Sequence, residues 1–476
     1  MKQNQAPLWN ALLAYKDKQV VPFHTPGHKL RSGVFSNIHR ELGEGFFALD
    51  PSDEVESVYY DNDFEAALED AQRLAAQLFG AEDSLFLVNG TTGGLHYLLA
   101  PTTGTVIVPR FSHQAVYSGL ILSAGAVSYI PTQYDSEWQI PLPPSPEQFQ
   151  SLVSRKQCEA VVLTYPTYYG TTPDISAIVE TAGEHDVMVF LDEAHGGHFT
   201  FSSELPKSGL SYGVDAVVQS THKTLGSFTQ TSMLHSSNSL WFQKVLQARN
   251  VLQTTSPSLV FLAVLDEVRR TLAERGTLLV ERSLYLAGEC RKKLSRIPFI
   301  QLLPEHLQSD PTKIVFSLRE IGLTGIAVER LLRTDYNIQV ELSDYYNVLA
   351  LITLGDTEAS ISRLVEALRD IVERRSHLGG IPLPQHHAEF PPLPEAVLSL
   401  RQAFFKDGEM VGLTECIGRV SGGFVTPYPP GVPVVVPGEI ITPEIVEYLT
   451  WCSQIGWFVR GLEGEKLLVI KDNRDF

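Results

Sequence analysis

The stretches VMVFLDEAHG, residues 187–196, and DAVVQSTHK, residues 215–223, decide the fold. Each contains a short apolar run rich in β-branched residues, which is typical of a buried strand. Each run ends in a polar cluster, DEAH in the first and STHK in the second. Strands that are buried on both faces belong to parallel sheets, and polar sites in such sheets lie at the carboxyl ends of the strands. We therefore expect the two clusters to lie at one edge of a parallel sheet.

The same rhythm of apolar runs and helical stretches extends in both directions from these segments. Five further runs complete the pattern: SLFLVNG (84–90), TVIVPR (105–110), VSYI (127–130), EAVVLTYP (159–166) and TSMLHS (231–236). Strands that alternate with helices predict a mostly parallel sheet covered on both faces. The sequence thus predicts an α/β fold with a seven-stranded, mostly parallel sheet and helices on both faces.

The remainder of the chain predicts further modules. A helix is expected over residues 7–18, and a wholly helical stretch over 258–296. From residue 313 the pattern changes to a compact α+β unit, and the proline-dense stretch 376–394 is typical of a linker. We predict four parts: an N-terminal arm and linker helix (1–50), a large cofactor-binding domain (51–300), a small α+β domain (301–376) and a C-terminal domain (377–476).

Composition limits the classes of partner. The chain has 476 residues and a net charge of −18, from 37 basic and 55 acidic residues. Such a surface repels a phosphate backbone, so nucleic acid is not expected as a partner. The four cysteines are scattered without metal-ligand spacing, and the sequence shows neither a signal peptide nor an apolar run long enough to span a membrane. These features predict a cytoplasmic protein with reduced thiols, no bound metal and no membrane contact.

Lys223 follows a buried strand in the segment STHK. A lysine at that place is suited to form an imine with an aldehyde, provided that a desolvated cleft lowers its pKa so that the amine is neutral. Ser220 and His222 beside it can donate hydrogen bonds to a phosphate. An ordinary surface lysine in a loop explains the motif equally well.

Asp192 ends the preceding strand, 31 residues before Lys223. A buried carboxylate beside a pyridinium nitrogen keeps that nitrogen protonated and makes the ring an electron sink. The separation leaves room for one crossover and one more strand, so both side chains can emerge at one edge of the sheet. The alternative is an ordinary aspartate that caps a turn.

Two more features precede these residues in the chain. The segment NGTTGG, residues 89–94, joins a strand to a helix start, where glycines let the backbone approach a ligand and free amides bind phosphate. His113 follows the second strand, where an imidazole can stack on an aromatic cofactor. A glycine-rich turn and a histidine at a helix start are each common without such a role.

Taken in order, the phosphate turn, the stacking histidine, the strand-end aspartate and the Ser-x-His-Lys motif resemble the fold-type-I pyridoxal-phosphate enzymes. More specifically, the chain resembles the bacterial ornithine/lysine/arginine decarboxylase family. The segments that carry the resemblance run through nearly the whole chain: FHTPGHK (23–29), LFLVNGTTGG (85–94), PTYYG (166–170), DEAHGGH (192–198), STHKTLGSFTQTSMLH (220–235), QTTSPS (253–258), DPTK (310–313) and PYPPGVPVVVPGE (427–439). PGHK, PYPPGVP and the extended STHK segment distinguish this family from other fold-type-I enzymes.

The resemblance implies the cofactor pyridoxal 5'-phosphate and a set of residues around its ring. Lys223 would carry the cofactor as a Schiff base, and Asp192 would pair with the pyridine nitrogen. Ala194 would pack against the ring, and His113 would stack on its opposite face. His195 occupies a position that the family often fills with Trp or His.

The resemblance also implies how the phosphate is held. Thr91, Thr92, Ser220 and His222 would bind it within one subunit. Thr254 would reach the phosphate of the neighbouring subunit, so that a complete site would require a homodimer or a higher homo-oligomer with shared sites.

The implied activity is decarboxylation of arginine, lysine or ornithine to CO2 and the corresponding polyamine or precursor. Lys223 or His222 would return a proton to Cα. The distal cation of the substrate would meet carboxylates or aromatic faces, and the candidate carboxylates are Asp61, Asp63, Asp344 and Glu439.

The chain departs from the family pattern in three places. It has His113-Gln114 where the family usually has His-Lys, and its stretch 47–64 matches only loosely. It begins at the short linker helix, so we expect it to lack the N-terminal wing domain that builds decamers in the long enteric members.

Two other interpretations remain open. Another fold-type-I enzyme, such as an α-oxoamine synthase or an aminotransferase, would share the lysine and the aspartate but lack the PGHK and PYPPGVP segments. A non-catalytic paralogue that binds the cofactor or a polyamine would not need Lys223, Asp192 and His113 together. An assay for CO2 release separates turnover from binding.

Overall fold

The structure, a computed structural model, describes residues 1–31, 33, 36–52, 64–376, 383, 390–428 and 431–471. These residues divide into two compact units. The first comprises Met1–Leu98 and Leu191–Glu281, and the second comprises Leu99–Phe190 and Arg282–Phe476. The division into four parts made from the sequence stays a prediction.

The helices, in chain order, are α1 (Pro7–Asp17), α2 (Ser36–Leu42), α3 (Glu44–Phe47), α4 (Phe64–Phe79), α5 (Gly90–Leu99), α6 (Gln114–Leu122), α7 (Pro146–Val153), α8 (Ile175–Glu184), α9 (Thr221–Thr224), α10 (Ser239–Leu252), α11 (Leu259–Leu294), α12 (Gly325–Tyr336), α13 (Glu358–Ser376), α14 (Leu400–Phe404) and α15 (Pro443–Gln454). The strands are β1 (Asp83–Leu87), β2 (Thr105–Pro109), β3 (Ala126–Ile130), β4 (Gln133–Tyr134), β5 (Pro141–Leu142), β6 (Ala160–Thr164), β7 (Met188–Asp192), β8 (Ala216–Gln219), β9 (Ser232–Ser236), β10 (Gln301–Leu302), β11 (Lys313–Ser317), β12 (Leu342–Ser343), β13 (Asn347–Leu351), β14 (Gly408–Gly412), β15 (Thr426–Tyr428), β16 (Phe458–Arg460), β17 (Leu462–Glu463) and β18 (Lys466–Ile470).

The largest sheet within the described ranges has seven strands in the order β1-β9-β8-β7-β6-β2-β3. β2 runs parallel to β3 and β6, whereas β9 runs antiparallel to both β1 and β8. The predicted α/β fold with a mostly parallel seven-stranded sheet is confirmed, and each predicted run overlaps one of these strands. The direction of β9 is not visible in the sequence, because a buried strand has the same apolar composition in either direction.

In the first unit, a buried ion pair on α11 fixes the N-terminal helix α1. The backbone N–H of Leu8 donates to Asp266 Oδ2 at 2.9 Å, which satisfies an amide at the start of the helix. Arg269 holds Asp266 in turn, with Nη2 at 2.6 Å from Oδ1, and its Nη1 donates to the carbonyl of Gln3 at 2.6 Å. Both charged side chains are fully buried. Hydrogen bonds to charged groups therefore anchor the N-terminal segment.

In the second unit, the sheet β10-β11-β13-β12 forms a small α+β part together with α12 and α13. A hydrophobic core that includes the fully buried Phe316 and Val348 joins these elements. The strand β12 has only two residues. Asp344 ends it, because its Oδ1 accepts hydrogen bonds from the backbone N–H groups of Tyr346 and Asn347 and so forms a turn.

The C-terminal part of the second unit contains the three-stranded sheet β14-β18-β17 and α15. Its core contains Leu449 and Cys452 from α15 together with Leu467 and Val469 from β18. Helices of the described ranges are all too short or too polar to cross a bilayer.

Candidate active site

The DEAH cluster lies at the carboxyl end of β7. Asp192 is the last residue of that strand and is buried, and its Oδ1 accepts a hydrogen bond from the backbone N–H of Ala194 at 3.2 Å. This oxygen therefore has the ordinary role of fixing a turn. The turn carries Ala194 and His195, both of which are also buried.

Glu193, the second residue of the cluster, braces the connection between β7 and β8. It is completely buried and accepts hydrogen bonds from Ser208 Oγ and Gln219 Nε2, each at 3.2 Å, and from the backbone N–H of Gly209 at 3.4 Å. Because burial penalises the charged form and these donors are neutral, the pKa of Glu193 is raised to about 8.

Lys223 lies on the short helix α9, which follows β8. Its Nζ is 3.1 Å from Nε2 of His195, so the amine and the imidazole share a hydrogen bond. The lysine side chain is half-buried, whereas the histidine is buried. This contact confirms the expectation that the DEAH and STHK clusters meet.

His222, next to the lysine, is held by the start of the following strand. Its Nδ1 lies 2.8 Å from the carbonyl oxygen of Thr231. A carbonyl oxygen only accepts hydrogen bonds, so Nδ1 carries a hydrogen, and in the neutral ring Nε2 is the basic nitrogen. Any proton transfer to the neutral ring takes place at Nε2.

Three hydroxyl groups from different elements converge at the start of α5. Thr91 Oγ1 lies 2.6 Å from Ser220 Oγ and 3.3 Å from Ser232 Oγ, and all three residues are buried. The first turn of a helix carries partial positive charge on its backbone N–H groups. Hydroxyl donors at that place have the chemistry that a phosphate requires.

Ser232 was not among the residues predicted from the sequence. It is the first residue of β9, and the only signal for it is a serine at the start of the apolar run that follows the STHK segment. Its contact with Thr91 depends on the antiparallel pairing of β9 with β1, which the sequence did not show.

The glycines of NGTTGG bring this helix start close to the sheet. Gly90 has a φ of +63°, which favours glycine. A Cβ at Gly94 would lie 2.5 Å from Val218 Cγ1 and 2.7 Å from Leu87 Cδ1, far inside van der Waals contact. Only glycine therefore lets α5 pack this closely on β1 and β8, which places Thr91 beside the end of β8.

His113 belongs to the second unit. It is exposed and caps the start of α6, where its Nδ1 accepts a hydrogen bond from the backbone N–H of Ala115 at 3.1 Å. Since Nδ1 accepts, Nε2 carries the hydrogen of the ring.

The remaining predicted phosphate ligands are exposed. Thr92 lies on the outer side of α5, and Thr254 follows α10 in the connection to α11. Asp61 and Asp63, two candidates for the distal cation of the substrate, lie outside the described residues.

Glu439 corrects the predicted set of substrate contacts. Its Oε1 and Oε2 accept hydrogen bonds from Nη1 and Nη2 of Arg110 at 2.8 and 2.7 Å, and Oε2 also accepts from the backbone N–H of Val436 at 2.9 Å. Both charged residues are 0% exposed. A carboxylate that is neutralised by a two-point arginine contact is not a site for a substrate cation, so this expectation was wrong.

The side chains of the first unit fit pyridoxal phosphate in their chemistry. The converging hydroxyl groups suit a phosphate, the buried carboxylate of Asp192 suits a protonated ring nitrogen, and Lys223 supplies a primary amine. In addition, Thr221 Oγ1 is buried without a hydrogen-bond partner among the described residues. A buried hydroxyl of this kind ordinarily has a partner, which a bound group would provide.

Comparison with known proteins agrees with this fit. The chain matches the family model described as Orn/Lys/Arg decarboxylase, major domain, over residues 6–308, and the model of the C-terminal domain of that family over residues 385–465. It is 34% identical to an arginine decarboxylase of Bacillus subtilis (strain 168), over 99% of this chain and 98% of that protein. It is 24% identical to the inducible lysine decarboxylase of Escherichia coli (strain K12), over 96% of this chain and 78% of that protein.

Solved structures share the fold. The lysine decarboxylase LdcF of Francisella novicida has a TM-score of 0.83 at 23% identity, over 98% of this chain and 80% of that chain. A structure of SPT with PLP has a TM-score of 0.52 at 19% identity, over 65% of this chain and 76% of that chain. Together with the family match, these findings confirm the predicted basic amino-acid decarboxylase and its pyridoxal phosphate cofactor, and they show that the chain belongs to the Orn/Lys/Arg decarboxylase family.

Proposed function

We propose that the chain is an arginine decarboxylase, which removes the α-carboxylate of arginine as CO2 and leaves agmatine. The observation that carries this choice is the identity of 34% over nearly the full length to a protein named arginine decarboxylase, against 24% to a lysine decarboxylase. Lysine and ornithine are the alternative substrates.

The residues around the cofactor ring are assigned as follows. When bound, pyridoxal phosphate supplies an electron sink for the electron pair of the bond between Cα and the departing carboxylate. Lys223 holds the cofactor through Nζ, and Asp192 keeps the ring nitrogen protonated through Oδ2, because Oδ1 already accepts from Ala194. Ala194 would pack on the ring, and His113 would stack on it. His195, at 3.1 Å from Nζ, orients the lysine.

The phosphate is assigned to the start of α5. Thr91 and Ser220 bind it with their hydroxyl groups, which already lie 2.6 Å apart, and Ser232 supports Thr91. Thr92 and His222 complete the set.

After CO2 leaves, Cα must receive a proton, and Lys223 or Nε2 of His222 supplies it. We favour Lys223, because the His195 ring that shares its hydrogen bond can replace the proton. Nδ1 of His222 is engaged with the carbonyl oxygen of Thr231, so only Nε2 of this ring is left for proton transfer to Cα.

We also propose a homodimer in which Thr254 completes the phosphate site of the partner subunit. The support for this proposal is that residues 254–256 are all exposed. They lie between the regular helices α10 and α11, and a proline follows them. A cytoplasmic location is proposed as well, because the four cysteines are buried free thiols, which suits a reducing compartment.

The proposal is tested by CO2 release from carboxyl-labelled arginine, lysine and ornithine, with Lys223→Ala as the inactive control. We expect kcat/KM for arginine to exceed the other two by at least about tenfold, since a site built for a guanidinium leaves polar groups unpaired with an ammonium. A preference for lysine or ornithine would mean that this amino acid, and not arginine, is the substrate. If CO2 is released from none of the three amino acids, decarboxylase activity is contradicted and the interpretation as a binding protein remains.

A further inference from the structure

The second unit contains a small cavity that no step of the proposed reaction uses. Its volume is about 30 Å³, and its walls include Tyr134, Tyr169, Tyr448 and Trp457. One charged residue, Asp344, also lines it. A cavity of that size holds about two water molecules or one small polar group.

Asp344 is a buried carboxylate that neutral groups hold in place. Only 8% of the residue is exposed. Its Oδ2 accepts from the hydroxyl of Tyr169 at 2.6 Å and from Nδ2 of Asn347 at 3.0 Å, and its Oδ1 accepts from the backbone N–H groups of Tyr346 and Asn347 at 2.8 and 2.7 Å. Four donors to a carboxylate favour its ionised form.

The charge of this carboxylate has no counter-charge within the described ranges. None of the ion pairs found there involves Asp344, and burial raises its pKa. Isolated buried charges are costly, and proteins ordinarily pair them. The same carboxylate therefore offers strong attraction to a cation that enters the cavity.

Aromatic rings surround the carboxylate. The ring of Phe390 lies 5.5 Å from that of Tyr134 and 5.5 Å from that of Tyr448, measured between centroids. Burial, and after it the charge of Asp344, raises the pKa of Tyr134, so this phenol stays protonated near the carboxylate. Aromatic faces around a carboxylate are the surroundings in which proteins bind organic ammonium groups.

We propose that this cavity binds the primary ammonium group of a small organic cation, with Asp344 as its counter-charge. An ammonium group is about as large as a water molecule, so the cavity admits it but excludes a trimethylammonium group. Hard metal cations require a larger set of oxygen ligands than these aromatic walls offer. Two sources have this chemistry: the side-chain amine of lysine or ornithine, which are the alternative substrates, and a separate diamine.

Calorimetric titration of the holoenzyme tests the proposal with two probes that differ only in the head group, butylamine and butyltrimethylammonium. We expect saturable binding of butylamine and at least about tenfold weaker binding of the bulkier probe. Asp344→Asn should weaken butylamine binding by at least about tenfold, because it removes the buried partner of the charge. Glu447→Gln makes the same change on the exposed face of α15 and should leave the affinity within about twofold.

A second variant covers the case in which Asp344→Asn does not fold, since that residue also ends β12. Tyr134→Leu removes one aromatic wall and no hydrogen bond found in the structure, and it should weaken butylamine binding by about threefold. Equal affinity for both probes, or unchanged affinity in Asp344→Asn or in Tyr134→Leu, would overturn the proposal.

Kinetics then distinguish the two sources. If the ammonium group is that of the substrate, butylamine raises KM without lowering kcat, and Asp344→Asn raises KM. If it is that of a separate diamine, butylamine binds equally well when the substrate site is saturated. Because binding is measured without turnover, failure of the proposed arginine decarboxylation and failure of the ammonium site are separate results.

Discussion

Replacing Glu439 by glutamine is expected to destabilise the second unit strongly. The residue forms a two-point contact with Arg110, and both side chains are inaccessible to solvent. Glutamine retains one acceptor oxygen, but its amide nitrogen then faces an N–H of the guanidinium. The charge of Arg110 is left buried and uncompensated.

The size of the effect follows from these contacts. Breaking a buried ion pair by removing one partner costs about 3–5 kcal/mol. Arg110 Nη2 keeps its hydrogen bond to the carbonyl of Val434 at 2.8 Å, and glutamine keeps one of the two contacts, so we expect the lower end of this range, about 3 kcal/mol. The free energy of unfolding in urea, measured on wild type and on the variant, gives the difference.

Glu409→Gln is the matched control, because Glu409 forms an ion pair with Arg419 at 2.8 Å but its side chain is 45% exposed. An exposed pair contributes less than about 1 kcal/mol, so this variant should unfold almost as wild type does. A loss below about 1 kcal/mol for Glu439→Gln would refute the assignment of a buried pair. A raised KM without loss of stability would return Glu439 to the set of substrate contacts.

Four further results are expected. Asp192→Asn should keep bound cofactor but lose at least about a hundredfold in turnover, because an amide does not hold the ring nitrogen protonated. Cofactor absorbance and CO2 release, measured on the same sample, test this. Near-native turnover would mean that Asp192 does not keep the ring nitrogen protonated. Borohydride reduction and peptide mapping should place the cofactor on Lys223, and a label on another lysine would contradict the assignment. Mixing Lys223→Ala with Thr254→Trp should restore about a quarter of wild-type activity once subunit exchange is verified, since half of the dimers are mixed and each has one intact site; no recovery would mean that each site lies within one chain. Burial raises the pKa of Glu193 from 4.5 to about 8. The contribution of this group to folding stability is therefore complete below about pH 4.5 and is lost as the pH rises through about 8. Glu193→Gln should abolish this decline of the urea midpoint with pH, and an unchanged decline would assign it to another group.

Local sequence patterns were sufficient for the fold of the sheet. Apolar runs located all seven strands. Most of these strands are buried and therefore leave a continuous apolar signal, whereas the edge strand β3 is only partly buried. The same rule placed Asp192 and Lys223 at strand ends, and their clusters meet through His195. The antiparallel β9 was missed, since strand direction depends on pairing partners and not on composition.

Contacts between distant segments were beyond the sequence. Glu439 lies 329 positions from Arg110, and nothing in the motif PYPPGVPVVVPGE shows that an arginine neutralises its last residue. Ser232 joined the hydroxyl group cluster for a similar reason, because only the register of β9 brings it to Thr91. Asp344 was predicted as a candidate for a cation, but several of the aromatic rings that line its cavity, such as those of Tyr134 and Trp457, come from segments far apart in the chain.

The reaction assigned to this chain breaks the bond between Cα and the carboxylate of a basic amino acid. Turnover of arginine in D2O, followed by mass spectrometry, tests it most directly. We expect one CO2 for each agmatine formed, with one non-exchangeable deuterium on the carbon that carried the carboxylate, and no product from Lys223→Ala. A product that retains the carboxylate, such as the corresponding keto acid, would contradict it.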